Sequence, residues 1–267
     1  MIVIRQPPVL FVAPMLLSVL FCATAIYYGV LSGALAMLVA VYTFVPTVCI
    51  YAQIAMRAKT PSLLDFIVIL MLWLPLELSA GASLVPRSVQ GVLHATAYGI
   101  AITLGVFLFL IARQWDGMKY NLFESWRDLR NITLGYASAF VLIIPFGLWI
   151  GFLPAPHGPR VSLEQGAFRF LLTFFGTALP EEILFRVLIQ NWILHAIRQP
   201  WLAVAISALI FGVSHLNNAP GPLPNWRYMA VATIAGAIFG TLFLRSTSIF
   251  ASVAVHAAVN TTKHLFF

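Results

Sequence analysis

The sequence predicts an all-α membrane protein, a polytopic bundle of about eight or nine transmembrane helices. Hydrophobic residues make up 61% of the 267 residues and charged residues only 9%, with a mean hydropathy of +0.95. Water-soluble domains carry about a quarter of their residues as charges. The apolar residues also fall into segments of about 20, the length that a helix needs to cross the hydrocarbon core of a bilayer.

Nine segments meet this length, and the polar residues are concentrated in the connections between them. Because the connections around 29–33 and 245–248 are very short, the expected count is eight or nine. In chain order, the predicted spans are 9–29, 31–53, 63–80, 93–112, 132–153, 167–194, 200–217, 227–244 and 247–265.

The basic residues of the connections predict the orientation of the chain. Cytoplasmic loops of membrane proteins carry an excess of Lys and Arg. Nine basic residues fall on the side of the N-terminus and four on the other, so we expect an integral protein of the cell membrane with a cytoplasmic N-terminus. The nine are Arg5, Arg57, Lys59, Arg113, Lys119, Arg127, Arg130, Arg198 and Arg245, and the four are Arg87, Arg160, Arg227 and Lys263.

Charge and cysteine content exclude several other classes of protein. The net charge of +7 comes from loop residues rather than from a basic run, so membrane lipid is the expected partner and nucleic acid is not. Cys22 and Cys49 lie in apolar segments without a CxxC pair, so neither a disulfide framework nor a thiolate metal site is expected.

The longest polar connection, residues 113–131, is the predicted boundary between two domains. It separates four predicted spans from the remaining five. We therefore expect an N-terminal set of helices, 1–131, whose role the sequence does not indicate, and a C-terminal domain, 132–267. Most polar residues inside the predicted spans belong to the second domain.

One of those spans contains three charges in the stretch "PEEILFR", residues 180–186. A charged side chain in the middle of a bilayer costs from about 2.5 to more than 10 kcal/mol, so it is retained where it is paired, faces a polar interior or takes part in chemistry. On a helix Glu182 and Arg186 are four residues apart and share a face, which predicts an ion pair. Glu181 points about 100° away and remains for chemistry.

Two later motifs also place polar side chains at helical spacing. "FGVSH" carries Phe211 and His215, four residues apart, and "HAAVN" carries His256 and Asn260, again four apart. An imidazole and an amide on one face offer two hydrogen-bond donors to a common point, which is the arrangement that stabilises an oxyanion. These helices are able to deliver a carboxylate, two imidazoles and an amide to one pocket.

Such a set supports hydrolysis. A carboxylate assisted by an imidazole removes a proton from water, and the other donors hold the negative charge that develops. A divalent metal is the alternative, with Glu181, His215 and His256 as ligands and water completing the site. Because no HExxH motif is present and these ligands come from three separate segments, the spacing gives metal no support and no cofactor is expected.

Read in order, the three motifs resemble those of the CAAX-protease and bacteriocin-processing family of intramembrane proteases. The family pattern of EExxxR, FxxxH and HxxxN on successive membrane helices is matched without a departure within about residues 165–265. The resemblance implies an all-helical, multi-pass fold and an endopeptidase of glutamate type. By motif position, it implies Glu181 as general base, His215 as its assistant, His256 and Asn260 as the oxyanion pair, and Glu182, Arg186 and Phe211 as structural support.

The expected substrate is a membrane-associated protein or peptide, lipidated or not. A non-catalytic scaffold of the same fold remains an alternative, and a transporter with a Glu and His proton relay is a third, although no internal repeat supports it. One expectation conflicts with a shared pocket: in straight spans, His215 lies at the end of its helix, whereas His256 lies only about 13 Å into the last one.

Overall fold

The computed structural model describes residues 7–121, 125–159, 161–218 and 222–267. Within these ranges the regular elements are helices and no strand is present, which confirms the all-α fold. Arg5 and Arg160, two of the residues used to predict the orientation, lie outside the described residues.

The described ranges contain nine helices of at least 14 residues, one for each predicted span. A helical turn, Pro7–Leu10, precedes them. The helices are α1 (Val12–Tyr27), α2 (Gly33–Ala55), α3 (Leu63–Glu77), α4 (Arg87–Ala112), α5 (Trp126–Trp149), α6 (163–197), α7 (Pro200–Val213), α8 (Trp226–Arg245) and α9 (Phe250–Phe266).

Four of these helices are long and apolar enough to cross a membrane, namely α2, α4, α5 and α8. Two shorter helices, α1 and α7, are also apolar. Hydrocarbon offers no hydrogen bonds to the backbone, so a helix that satisfies its own N–H and C=O groups is the expected form of such segments. The helices confirm a polytopic membrane bundle.

The chain forms two compact units, Met1–Asp116 and Gly117–Phe267. The division between them falls inside the polar connection 113–131. In the first unit, apolar side chains from α1, α2 and α4 form a core cluster: Phe21, Ala25, Leu35, Val39, Leu93 and Ile100. A buried ion pair between Arg113 and Asp65, with an Nη2 to Oδ2 distance of 2.9 Å, joins the end of α4 to the start of α3.

Small residues bring the helices of the second unit into close contact. A Cβ atom added at Gly212 of α7 would lie 2.8 Å from the carbonyl oxygen of Met229 on α8, and one at Gly236 would lie 3.1 Å from the Cα of Ala208. Such glycines let helix backbones approach closely, as is common between membrane helices. The end of α7 is therefore held tightly against the first half of α8.

A buried glutamine connects three helices of this unit. Gln190 of α6 donates to the carbonyl oxygen of Gly240 on α8 at 3.0 Å and accepts from the hydroxyl of Ser207 on α7 at 3.0 Å. Interhelical hydrogen bonds of this kind stabilise membrane helix pairs by about 0.6 to 2 kcal/mol. They fix the position of α6, which carries the glutamates.

The connection before α5 is anchored to the turn between α8 and α9. The Lys119 ammonium donates to the carbonyl oxygens of Phe243 at 2.5 Å and Ser246 at 2.9 Å, where the helix end leaves carbonyl groups without helical partners. Burial lowers the pKa of Lys119. Asp128 accepts from the backbone N–H of Thr247 at 2.8 Å. These contacts fix the start of α9, six residues before His256.

Candidate functional site

Helix α6 carries the two glutamates and the arginine near its middle. It runs from 163 to 197 as one helical stretch, with π-helical turns at Phe174–Ala178 and Ile183–Gln190 on either side of the α-helical turn Leu179–Glu182. Pro180 lies in this turn and has no N–H to donate. Local π-helical turns are frequent at functional sites, and this irregular stretch is the part of α6 that carries the three charges.

Glu182 is fully buried and contacts an arginine with one carboxylate oxygen and an imidazole with the other. Arg186 Nε donates to Oε2 at 3.1 Å, so the ion pair expected from the four-residue spacing is present. His256 Nδ1 lies 3.0 Å from Oε1 and, since an ionised carboxylate only accepts, donates to it. Glu182 thereby links α6 to α9 and orients the His256 ring.

Arg186 is fully buried and is surrounded by aromatic rings as well as by its carboxylate. Its guanidinium carbon lies 5.0 Å from the ring centroid of Phe211 and 6.0 Å from that of Phe239. Within the described ranges, Nη1 and Nη2 have no hydrogen-bond partner. Cation–π contacts therefore take over part of the stabilisation that hydrogen bonds usually give a buried guanidinium.

His256 lies between the two adjacent glutamates. Its Nδ1 is bound to Glu182, and its Nε2 lies 3.7 Å from Oε2 of Glu181. The ring stacks on Phe239 with centroids 4.6 Å apart and planes 17° apart. The hydrogen bond and the stacking together fix one orientation of the ring, in which Nε2 faces Glu181.

His215 comes two residues after the end of α7, so this helix is shorter than the predicted span 200–217. Its Nδ1 lies 2.8 Å from the carbonyl oxygen of Phe211, to which it donates. The ring lies 4.7 Å from that of Phe211 and 4.6 Å from that of Tyr228. In the neutral imidazole, Nε2 is then the nitrogen that accepts a proton.

One cavity of about 280 Å³ is lined by Glu181, His215, His256 and Asn260, the four residues predicted to act in catalysis. The Glu181 side chain is 21% exposed, whereas its neighbour Glu182 has no exposed area. The two consecutive glutamates thus face different environments: one lines the cavity, and the other is enclosed by protein.

The expected difference in depth does not separate the two histidines. His215 and His256 line the same cavity, and the Phe211 ring lies within 4.7 Å of the first imidazole and 5.8 Å of the second, measured between centroids. Phe211 also contacts Arg186, so the aromatic residue of the second motif touches residues of all three motifs.

Among the further cavity residues that sequence reasoning missed, three make ring or cation contacts at the site: Tyr228, Phe239 and Lys263. The sequence offered no signal for Tyr228 and Phe239, because aromatic residues are common throughout the chain. For Lys263 the sequence did offer a signal, since positions 256, 260 and 263 lie on one face of a helix. Lys263 lies within α9 and is not a loop charge.

The alternative metal ligands, Glu181, His215 and His256, do not form a metal site in this arrangement. In the described part of the chain, no three side chains of His, Cys, Asp or Glu are grouped so that they would hold a metal ion. The Nδ1 atoms of the two histidines are already bound, one to a carboxylate and the other to a backbone carbonyl.

Comparison with protein families identifies the same part of the chain. Residues 163–262 match the family described as type II CAAX prenyl endopeptidase Rce1-like, and this segment contains all three motifs. Comparisons with curated proteins and with solved structures gave no match. The family match confirms the resemblance to the CAAX-protease family, and together with the apolar helices it establishes an integral membrane protein.

Proposed function

We propose that this protein is an intramembrane endopeptidase that hydrolyses a peptide bond in a membrane-associated protein or peptide. The Rce1-like segment, 163–262, supports a CAAX-type protease at the level of the family. The observation that carries the proposal is the convergence of a carboxylate, two imidazoles and an amide on one cavity among apolar helices. The sequence predicted these side chains from three separate motifs.

Glu181 is the proposed general base. Its carboxylate lines the cavity and takes a proton from water, and the oxygen of that water attacks the carbonyl carbon of the scissile bond. His215 assists through Nε2, because its Nδ1 is bound to a backbone carbonyl. When the C–N bond of the tetrahedral intermediate breaks, Glu181 returns the proton to the leaving amine.

His256 and Asn260 are the proposed oxyanion donors. They lie one helical turn apart on α9, and both line the cavity. When both ring nitrogens of His256 are protonated, Nδ1 donates to Glu182 and Nε2–H is available to the oxyanion. Donors fixed before the reaction stabilise the developing charge without reorganisation, and each contributes about 10²- to 10³-fold in kcat.

The lining of the cavity supports a substrate that is partly apolar. Besides the polar residues, it is formed by side chains of α5 and α8 that are mainly aliphatic or aromatic: Ala139, Phe140, Ile143, Ile144, Val231 and Ala235. An apolar wall next to a polar end fits an amphiphilic molecule, so a lipidated peptide is the proposed substrate class.

The proposed location is the cell membrane with the N-terminus in the cytoplasm. The support is the excess of Lys and Arg in the connections on that side, nine residues against four. Cysteine accessibility on the two sides of oriented vesicles tests this topology, and labelling of the α1–α2 connection from the cytoplasmic side would contradict it.

Cleavage by the purified protein in liposomes tests the proposed function. A CAAX-type peptide is supplied in a farnesylated and in an unmodified form, and the products are identified by mass spectrometry. We expect one cleaved bond, with the farnesylated form preferred. His256→Ala lowers kcat about 10²- to 10³-fold, whereas His264→Ala, an exposed histidine of the same helix, leaves kcat unchanged.

Failure of the wild-type protein to cleave either peptide would contradict a CAAX-type activity. Wild-type rates in the His256→Ala variant would remove this histidine from the proposed mechanism.

A further inference from the structure

Lys263 is a cation in the cavity that the proposed hydrolysis does not use. Its ammonium nitrogen lies 4.6 Å from the ring centroid of Phe152 and 4.8 Å from that of Tyr228. Of the carboxylates that the structure describes, none lies within ion-pair distance of it. Two aromatic rings thus position a positive charge in the cavity that contains Glu181.

The spacing along α9 places this charge at a defined distance from the proposed oxyanion donors. Residues 256, 260 and 263 share one face of the helix. At 1.5 Å per residue, Lys263 lies about 10.5 Å along the helix axis from His256. An extended peptide spans about 3.3 to 3.6 Å per residue, so this distance corresponds to about three residues of a bound substrate.

We propose that Lys263 binds the C-terminal carboxylate of the substrate, about three residues beyond the scissile bond. This inference rests on the proposed function of the cavity. A half-buried ammonium held by two rings is suited to a single anionic group, and a carboxylate is the anion that every free peptide end provides. An internal segment of a protein has no backbone carboxylate, so Lys263 makes the enzyme selective for chain ends.

Two peptides of the same sequence test this proposal, one ending in a free carboxylate and the other in a carboxamide. The liposomes are made of phosphatidylcholine, so that no net anionic headgroup competes for the lysine. For the wild-type protein, amidation is expected to raise KM about tenfold to hundredfold, as for loss of a hydrogen bond to a charged group. The value of kcat changes little, because the contact is equal in the ground and transition states.

Variants of the lysine locate the effect. Lys263→Met keeps the apolar stem and is expected to raise KM for the acid peptide to the value for the amide, so that the two peptides become equivalent. Lys263→Arg retains a cation and retains the discrimination. Arg169→Met is the matched control, because it removes a positive charge from an exposed position outside the cavity lining, and it is expected to discriminate as the wild type does.

Two results would overturn the proposal while leaving the proposed function intact: equal KM for both peptides in the wild type, or undiminished discrimination in Lys263→Met. If the wild type cleaves neither peptide, the proposed function fails. Binding of the two peptides to the Glu181→Gln variant then still tests whether Lys263 binds the carboxylate. Tighter binding of the carboxylate peptide than of the carboxamide peptide by Glu181→Gln, lost in the double variant Glu181→Gln/Lys263→Met, supports the carboxylate site. Equal binding of the two peptides by Glu181→Gln overturns it.

Discussion

Each of the two units buries an arginine against an acidic residue, but the two arginines have different environments. In the N-terminal unit, Arg113 donates to both carboxylate oxygens of Asp65, at 3.0 and 2.9 Å. It also donates to the carbonyl oxygens of Ala58 at 3.2 Å and Lys59 at 3.0 Å. With Gln53 Oε1 as a further acceptor, its partners are a carboxylate, an amide and two backbone carbonyls, the pattern expected for a structural ion pair.

In the C-terminal unit, Arg186 uses Nε alone to bind Glu182, whose other oxygen holds His256. The same carboxylate therefore neutralises a cation and orients a side chain that lines the cavity. The difference between the two ion pairs is this second contact, through which Glu182 orients a group that lines a cavity.

The cavities of the two units differ in the same way. The cavity of the N-terminal unit is larger, about 350 Å³, but its lining among the described residues includes no Asp or Glu. Its polar lining includes His94 and Gln90, and the Gln90 amide donates to the carbonyl oxygens of Ala82 and Val85. Volume alone therefore does not select the candidate site. The smaller cavity differs from the larger one in the carboxylate, Glu181, that lies beside its imidazoles and amide.

Glu182→Gln is expected to have the largest combined effect. Removing one charge of a buried pair leaves Arg186 uncompensated and costs about 3 to 5 kcal/mol in the free energy of unfolding. The His256 ring also loses its charged partner, so kcat falls in the protein that remains folded. Denaturation in detergent measures the first effect and peptide cleavage the second.

The double variant Glu182→Gln/Arg186→Met separates the two effects, because it removes both charges. It is expected to recover part of the stability but none of the activity. Recovery of activity together with stability would show that Glu182 acts only as the partner of Arg186.

Arg113→Met tests the structural side of the comparison. It leaves Asp65 buried without its cation, so a loss of about 3 to 5 kcal/mol in the free energy of unfolding is expected. The cavity of the C-terminal unit is untouched, so the specific activity of the folded fraction remains that of the wild type. A loss of kcat in this fraction would contradict the assignment of the ion pair to structure alone.

Gly212→Ala is expected to have the smallest effect, and it tests the packing that positions His215. The added methyl group would lie 2.8 Å from the carbonyl oxygen of Met229, and overpacking of this kind costs about 1 to 3 kcal/mol. The matched control is Gly176→Ala on α6, where an added Cβ meets no atom within 4 Å. Equal stability of the two variants would show that α7 and α8 are not closely packed at this point.

The helices were predictable from the sequence because an apolar segment of this length has few alternatives to a helix in lipid. The pairing of Glu182 with Arg186 was predictable for a similar reason, since residues four apart on a helix are neighbours. Both inferences depend on local spacing. Neither requires knowledge of how the helices pack.

The contacts between helices were not predictable in this way. Glu182 and His256 are 74 positions apart, and their hydrogen bond depends on the packing of α6 against α9. The sequence also suggested different depths for His215 and His256, whereas the packing of the helices brings both histidines to one cavity. The place of Lys263 in the cavity was predictable from spacing, because position 263 shares a helix face with positions 256 and 260 of the third motif.

We propose that Glu181 acts as a base while Glu182 beside it stabilises the fold, and the Glu181→Gln variant separates these two roles. In this variant we expect the rate of peptide cleavage to fall about 10²- to 10⁴-fold. We expect its free energy of unfolding to change by no more than about 0.5 kcal/mol. The matched control Glu164→Gln, at an exposed glutamate of α6, is expected to behave as the wild type. Wild-type turnover in the Glu181→Gln variant would contradict the claim.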